Sequence, residues 1–309
     1  ALLRVAGRAI ERCTTYDLGY VAGPRLNAAG RLQDMSLGIE CLITDDIGRA
    51  SAIAAELDRL NRQRREIEST MREQALAAVE PDIDADSCSI ALFEPRWHQG
   101  VIGIVAARLK DRLHRPAFCF ARGDSGLLKG SGRSIPGLHL RDALDLVDKR
   151  APGLLLAFGG HAAAAGLSLR EVDLPRFVQA LESVARSLLT PADLSRVIET
   201  DGSLEGECVD LALAESVYDG IWGPGFPRPE FIDRFEVTAQ KTVGEAHSKL
   251  ELRGACGRFS AIRFGSTQRL PARIEAVYRL DVNAWQGLHA VQLTVEHWRD
   301  GTSTGSPWN

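Results

Sequence analysis

Three glycine-rich segments carry the side chains best suited to chemistry. In Lys129-Gly130-Ser131-Gly132-Arg133-Ser134, two glycines flank a hydroxyl, with a lysine and an arginine close by. An arginine fork can hold a phosphate at two oxygens, and a serine can donate a further hydrogen bond. Glycine in such a run either lets a ligand approach or marks a bulge or flexible hairpin turn. In the segment Gly159-Gly160-His161, followed by Ala162 to Gly166, a tight turn presents His161 ahead of a run of small residues. Small side chains let backbones pack closely or let a substrate lie flat, and a lone histidine is as readily structural as catalytic. The third segment, Trp97-His98-Gln99-Gly100-Val101, falls between an apolar run and a helical repeat. Backbone N–H groups at a helix start, with glycine admitting close approach, form an anion site; a plain strand-to-helix turn has the same composition. Three such loops together favour phosphate binding over coincidence. There is no Walker A, H-E-x-x-H or G-x-S-x-G motif. Asp45-Asp46 sits at a helix start, where carboxylates are favoured anyway. The chain is equipped to bind phosphates rather than to activate water, and no residue of it is assigned to a metal.

Apolar periodicity indicates the scaffold that must position these loops. From Asp45 to about Glu80, Ile47, Ile53, Leu57, Leu60, Ile67 and Met71 recur at helical spacing. Thr44 and Asp45 are the expected N-caps and Pro81 the stop. At 1.5 Å per residue such a helix reaches roughly 50 Å, a length suited to a strut between domains. Its Arg62 to Arg65 run reads as a solvated face, with phosphate contact as the second reading. Upstream, Gly23 to Arg31 reads as a turn-rich loop. Between about 85 and 190, strands at Ser89 to Phe93, Ala117 to Ala121 and Leu154 to Phe158 alternate with helices at Val101 to His114, Leu140 to Lys149 and Asp173 to Leu189. That order predicts an α/β layer structure. From about 193 the pattern turns to β. Phe231 to Gln240, Lys249 to Arg253, Phe259 to Phe264, Arg273 to Val282 and Ala290 to His297 are five short runs separated by turn residues. They fit a small barrel, with an OB-fold the leading candidate, and Trp222 and Trp285 are expected in its core.

The 309 residues are 45% hydrophobic and 25% charged, which excludes a wholly disordered or fibrous chain. No apolar run reaches ~18 residues, so no transmembrane helix is expected. Ala1 to Arg12 do not read as a secretory signal, and a start on Ala suggests a fragment of something longer. Six cysteines without a C-x-x-C pair read as reduced thiols of a cytoplasmic protein. The net charge of −4 hides local fields: Asp193 to Glu230 carries 9 acids against 2 arginines, while Lys241 to Arg279 carries 8 basic residues against 3 glutamates. The second stretch could dock a polyanion or be a solvated face.

Taken together, these segments make the sequence resemble the RecJ family of single-stranded-DNA-specific 5′→3′ exonucleases, within the DHH/DHHA1 phosphoesterase superfamily. The segments that carry the resemblance are GPRLNAAGRLQDMS, TDDIGRASAIAAELDRLNRQRREIE, WHQGVIGIVAARLKDRLHRPAFCFA, LKGSGRSIPGLHLRDALD, AFGGHAAAAGLSL, GIWGPGFPRPEF and GEAHSKLEL. The resemblance implies an α/β plus β architecture: 1–45 as the C-terminal end of a DHH catalytic domain, 46–84 as a connecting helix, 85–192 as a DHHA1 domain and 193–309 as an OB domain. The Asp-His-His signature is absent, so the family's two Mn²⁺ or Mg²⁺ ions would be held by ligands upstream. By resemblance, Ser131 and Arg133 receive the 5′-terminal phosphate, with Lys129, Gly159 and Gly160 beside it. His161 contacts phosphate at the active centre. Arg25, Asn27 and Arg31 face the DNA backbone, His98 and Gln99 contact nucleotides, and Arg234, Lys241, Lys249 and Arg253 hold the single-stranded tail. The implied function is exonuclease action in DNA repair and recombination, with single-stranded DNA as partner, a single-strand-binding protein or helicase as further partners, and no membrane. Two alternatives stay open: a phosphodiesterase of short oligonucleotides or cyclic dinucleotides, and a non-catalytic single-strand-binding protein.

Overall fold

The computed structural model describes residues 1–79, 86–123, 126–223, 225–244, 246–285, 287–302 and 308. The chain divides into two compact units, Ala1–Arg196 and Val197–Asn309.

The first unit is built on a five-stranded mixed sheet. Its strands are β1 (Ile90–Phe93), β2 (Ala117–Arg122), β3 (Leu128–Arg133), β4 (Ala157–Gly160) and β5 (Ala164–Leu169), in the order β1-β2-β3-β5-β4. Only β1 and β2 run parallel, and α5 (Ile102–Leu113) makes the crossover that parallel pairing demands. The segment LKGSGR is the central strand, not a turn. Its glycines are admitted because Phe118 and Phe120 lie over them: a Cβ at Gly130 or Gly132 would come within 2.4 Å of a ring carbon. Phe118 and Phe120 stack at 6.2 Å, and Phe177 packs edge-on to both, with centroids 5.6 and 5.4 Å away. This cluster joins the face covered by α6 (Leu140–Arg150) and α7 (Leu174–Leu188). Leu154 and Leu155 are buried in the same core ahead of β4; their hydrophobicity marks packing under a loop rather than strand pairing.

The opposite sheet face is covered by α5 and by the second half of α4 (Ile47–Val79), through Met71, Ala75, Val79, Val101, Val105 and Leu109. The first half of α4 buries Ile53, Leu57 and Leu60 against α2 (Gly23–Leu32) and α3 (Ser36–Ile43). The 33-residue helix is therefore packed at both ends and is not a bare strut. Its N-terminal cap is Asp46, whose carboxylate accepts the N–H groups of Gly48 and Arg49, rather than Thr44 or Asp45. Pro81 lies outside the described residues. The segment GPRLNAAGR is helix α2, not a loop. Pro24 occupies the first turn, where its missing N–H is harmless, and Ala28 and Ala29 are fully buried.

The second unit closes β6 (Phe231–Val243), β7 (His247–Gly254), β8 (Gly257–Arg263), β9 (Arg273–Trp285) and β10 (Leu288–Asp300) into a barrel in the order β10-β8-β7-β6-β9. The β8–β10 pair is parallel and all others are antiparallel, which is the OB arrangement. A helix ahead of the barrel, α8 (Leu211–Tyr218), puts Ala214 into the core. The core tryptophan is Trp298. Trp222 is half-buried, stacks on exposed Phe226 at 5.1 Å and donates its N–H to the Val217 carbonyl. The side chain of Trp285 lies outside the described residues.

Two predictions follow from the packing. Gly132→Ala should destabilise the first unit by about 1–3 kcal/mol through overpacking against Phe118, read as a lower urea midpoint. His114 caps α5 in the left-handed conformation (φ 48°), and its Nε2 lies 3.2 Å from the Asp193 carbonyl. Burial pulls its pKa below the ordinary histidine value, against the opposing pull of that carbonyl. A depressed histidine leaves its stabilisation intact above the unfolded value of about 6.5 and loses it as pH falls below that. The unfolding temperature should therefore drop as pH falls below about 6.5, and His114→Asn should flatten the drop.

Candidate nucleic-acid interface

Alternation along β3 separates structure from chemistry. Leu128, Gly130 and Gly132 face the aromatic core, so Lys129, Ser131 and Arg133 share the other face. Arg133 Nη1 donates to Ser131 Oγ at 3.2 Å and to the Gly132 carbonyl at 2.8 Å. Both side chains lie against the first turn of α5: a Cβ at Gly103 would sit 2.7 Å from Ser131 Oγ and 3.0 Å from Arg133 Nη2. Lys129 Nζ donates to Ser168 Oγ at 2.9 Å.

A second arginine is brought to the same place. Trp97 is buried and donates its indole N–H to Gln74 of α4, which anchors the turn before α5. Gly100 in that turn receives the end of α2 so closely that a Cβ would lie 2.1 Å from the Arg31 carbonyl oxygen. Arg31 Nη1 in return donates to the Gly100 carbonyl at 3.1 Å. Burial, and then neighbouring Arg31, pull the Arg133 pKa below the ordinary arginine value. Among the described residues no carboxylate pairs with either guanidinium. The N-terminal end of α5 adds a third source of positive potential. Close behind, Arg64 feels both Arg31 and Arg108, and the one carboxylate there, Glu68, is engaged by Arg64 and Arg108. Glycines three apart at a helix start, Gly100 and Gly103, are the feature of the sequence that could have revealed this convergence, a signal left unused in the sequence reading. Glycine there sacrifices helix propensity and implies close approach.

Several N–H groups of the turn are accepted within it. Gly100 N–H is accepted by His98 Nδ1 at 3.1 Å, and Val101 and Ile102 N–H groups by the His98 carbonyl. Within the segment Trp97 to Val101, where a backbone anion site was expected, the Gly100 and Val101 N–H groups are thus engaged inside the turn, and the turn also positions Arg31. Gln99 is exposed.

Register places His161 relative to Arg133. Arg133 pairs with Ala164 across β3 and β5, and the His161 N–H donates to the Ala164 carbonyl at 2.8 Å. Arg133 and His161 therefore lie on one rung, two strand spacings or about 10 Å apart. Gly160 has φ +142°, and a Cβ there would lie 2.4 Å from the Ala164 oxygen, so only glycine permits this turn. His161 and Gly159 are exposed, and Gly159 and Gly166 leave the neighbouring sheet surface without side chains.

Other expected contacts divide. Arg25 is committed to the fold: it pairs with Asp58 at 2.9 Å, both side chains 11% exposed, and donates to the Val21 carbonyl. Asn27 is exposed on α2. In the barrel, Arg234 pairs with Glu275 and Arg253 with Glu236. Lys241 and Lys249 instead face each other directly across β6 and β7. Like charges so placed repel, and an anion relieves them. The basic balance read along the sequence thus overstates the available charge, because Arg279 is also paired, with Glu296.

Among the described residues no group of three His, Cys, Asp or Glu side chains is placed to hold a metal ion, and no helix is long and apolar enough to cross a membrane. The described residues do not fit a divalent cation.

A DHHA1 domain family model matches residues 86–187, and a RecJ OB domain model matches residues 200–297. The single-stranded-DNA-specific exonuclease RecJ of Dickeya dadantii is 44% identical over 308 residues, covering 96% of this chain and 54% of that protein. The chain belongs to the RecJ family. The crystal structure of RecJ in complex with Mn²⁺ from Thermus thermophilus matches with a TM-score of 0.79 at 28% identity, covering 97% of this chain and 43% of that one. The corresponding RecJ complex with Mg²⁺ matches at 0.77 and 28%, over 97% and 45%. The chain spans about half the length of the curated RecJ relatives it matches.

Removing Arg25 from its buried pair with Asp58, which keeps Arg62 as a second partner, should cost about 1–3 kcal/mol. Arg25→Ala is therefore expected to lower the unfolding midpoint while leaving the ratio of affinities for 5′-phosphorylated and 5′-hydroxyl oligonucleotides unchanged; a changed ratio with normal stability would return Arg25 to the interface.

Proposed function

We propose that this chain is the strand-gripping part of a single-stranded-DNA-specific 5′→3′ exonuclease of DNA repair and recombination. In this reading Arg31, Ser131 and Arg133 receive the 5′-terminal phosphate. The observation that carries it is the convergence of Arg31 and Arg133 at the start of α5 with no pairing carboxylate among the described residues. Holding like charges together costs stability, and a terminal phosphate with two ionisable oxygens repays it by accepting from both forks.

His161, one rung across the sheet, meets the next phosphate. The separation of about 10 Å, less the reach of the two side chains, accommodates one nucleotide. A donor imidazole there stabilises charge developing on that phosphate as its bond to the departing nucleotide breaks. The uncovered Gly159 and Gly166 surface lets the backbone lie close. Lys241 and Lys249 hold the trailing strand electrostatically, which is sequence-independent. The divalent ions, Mn²⁺ or Mg²⁺, belong to residues upstream of this chain and supply the activated water when bound. A cytoplasmic location, and partners that coat or unwind single strands, fit this reading. The barrel favours it over a dinucleotide phosphodiesterase, which has no use for a second nucleic-acid module.

Arg133→Ala and Arg31→Ala should each weaken the preference for a 5′-phosphorylated over a 5′-hydroxyl single strand by about tenfold or more, the worth of a charged hydrogen bond. Fluorescence anisotropy reads this, and equal affinities for both ends in the unsubstituted chain would overturn the assignment. The 309-residue chain alone should release no nucleotide with Mn²⁺, whereas a version extended upstream to its relatives' length should. Digestion by the chain alone contradicts the placement of the ions upstream, and inactivity of the extended version favours a non-catalytic strand binder.

A further inference from the structure

Gly103 is the second residue of α5, where alanine would serve the helix better. The atoms that hold it to glycine are unusual in kind. A Cβ at Gly103 would meet Ser131 Oγ at 2.7 Å, Arg133 Nη2 at 3.0 Å and Arg133 Nη1 at 3.5 Å. No backbone atom is among these neighbours. At Gly100 the nearest neighbour is the Arg31 backbone, and at Gly130 and Gly132 it is a core phenylalanine ring. A methyl group at those positions would disturb the fold. At Gly103 it can be accommodated by side-chain ends alone, and those ends are the hydroxyl and guanidinium that the phosphate reading places on the ligand.

Arg133 reaches this position through one fork nitrogen. Nη1 is tied to Ser131 Oγ and to the Gly132 carbonyl, while Nη2 and Nε have no partner among the described residues. The guanidinium rests edge-on against the helix start, half-buried and close enough to Arg31 for the two charges to oppose one another. A side chain at position 103 would push Ser131 Oγ and Nη2 outward. It would break the 3.2 Å tether between them and separate both from the positive end of α5. We propose that Gly103 is a positioning residue that determines specificity for a terminal phosphate: its missing side chain is the space that holds the Ser131–Arg133 pair at the helix start beside Arg31. This rests on the phosphate reading above.

The test uses the 309-residue chain and two oligonucleotides of one sequence, one with a 5′-phosphate and one with a 5′-hydroxyl. Anisotropy titrations give the affinity ratio for the unsubstituted chain, Gly103→Ala, Arg133→Ala and the double variant. Gly103→Ala is expected to reduce the ratio by about tenfold, the loss of one charged hydrogen bond. Its unfolding temperature should not fall, because no backbone atom has to move. Adding Arg133→Ala should lower the ratio no further, since both changes remove the same contact. As a second measurement, inorganic phosphate should shift the Arg133 Nε–Hε NMR resonance in the unsubstituted chain and not in Gly103→Ala. If Gly103→Ala keeps the ratio and the resonance shift while Arg133→Ala loses the ratio, the inference fails and the phosphate reading stands. If the unsubstituted chain and Arg133→Ala bind both ends equally, the reading fails and takes the inference with it.

Discussion

Two guanidinium groups and a helix start, all positive, are held together in the first unit with no carboxylate among the described residues to neutralise the pair. Left alone, that arrangement costs free energy, because a half-buried cation has lost water and gained a like-charged neighbour. The local sequence choices make sense as ways of sustaining it. Trp97 fixes the turn to α4, Gly100 admits the end of α2, and Gly103 admits the serine and arginine of β3. The nearby carboxylate, Glu68, is engaged by Arg64 and Arg108. What the fold sustains here is a concentration of positive charge suited to the proposed anion receptor.

The receptor depends on a strand with two unlike faces. On one face of β3 the absence of side chains lets Phe118 and Phe120 lie flat, and these rings join Phe177 in the core beneath α6 and α7. On the other face the same strand presents lysine, serine and arginine in a row. Packing the rings on glycine holds the strand rigid, so the polar face inherits the precision of the core. The register of β3, β5 and β4 then carries that precision across to His161.

The barrel follows a different electrostatic logic. Arg234, Arg253 and Arg279 pair with glutamates across strands, which removes part of its basic charge. Lys241 and Lys249, opposed across β6 and β7, are placed where a polyanion would relieve their repulsion. Their attraction is diffuse and salt-dependent, which suits a surface that must hold a moving strand rather than fix one phosphate.

Much of this was legible in the sequence, for reasons that are local. The period of apolar residues located α4 to α7 and all five barrel strands, and the spacing of those strands pointed to an OB barrel. The Ser131 and Arg133 pair, proposed above to receive a phosphate, was legible from residue type, because few roles use a hydroxyl and a guanidinium two residues apart among glycines. The glycines themselves were misread. Their partners are rings on the neighbouring strand, and no pattern within the segment records a contact made from outside it. Gly23 to Arg31 passed for a loop because glycine, proline and asparagine lower local propensity, while the burial of Ala28 and Ala29 against α4 overrides it. Arg25 and Arg31 stand six residues apart on one helix and are alike as letters. Tertiary structure alone sends one to buried Asp58 and the other to Gly100 and Arg133. The sequence by itself determined which elements form and which side chains can bind a phosphate. Which of them remain unpaired was decided only when the chain folded, because neutralisation of a charge depends on distance in space and not along the chain.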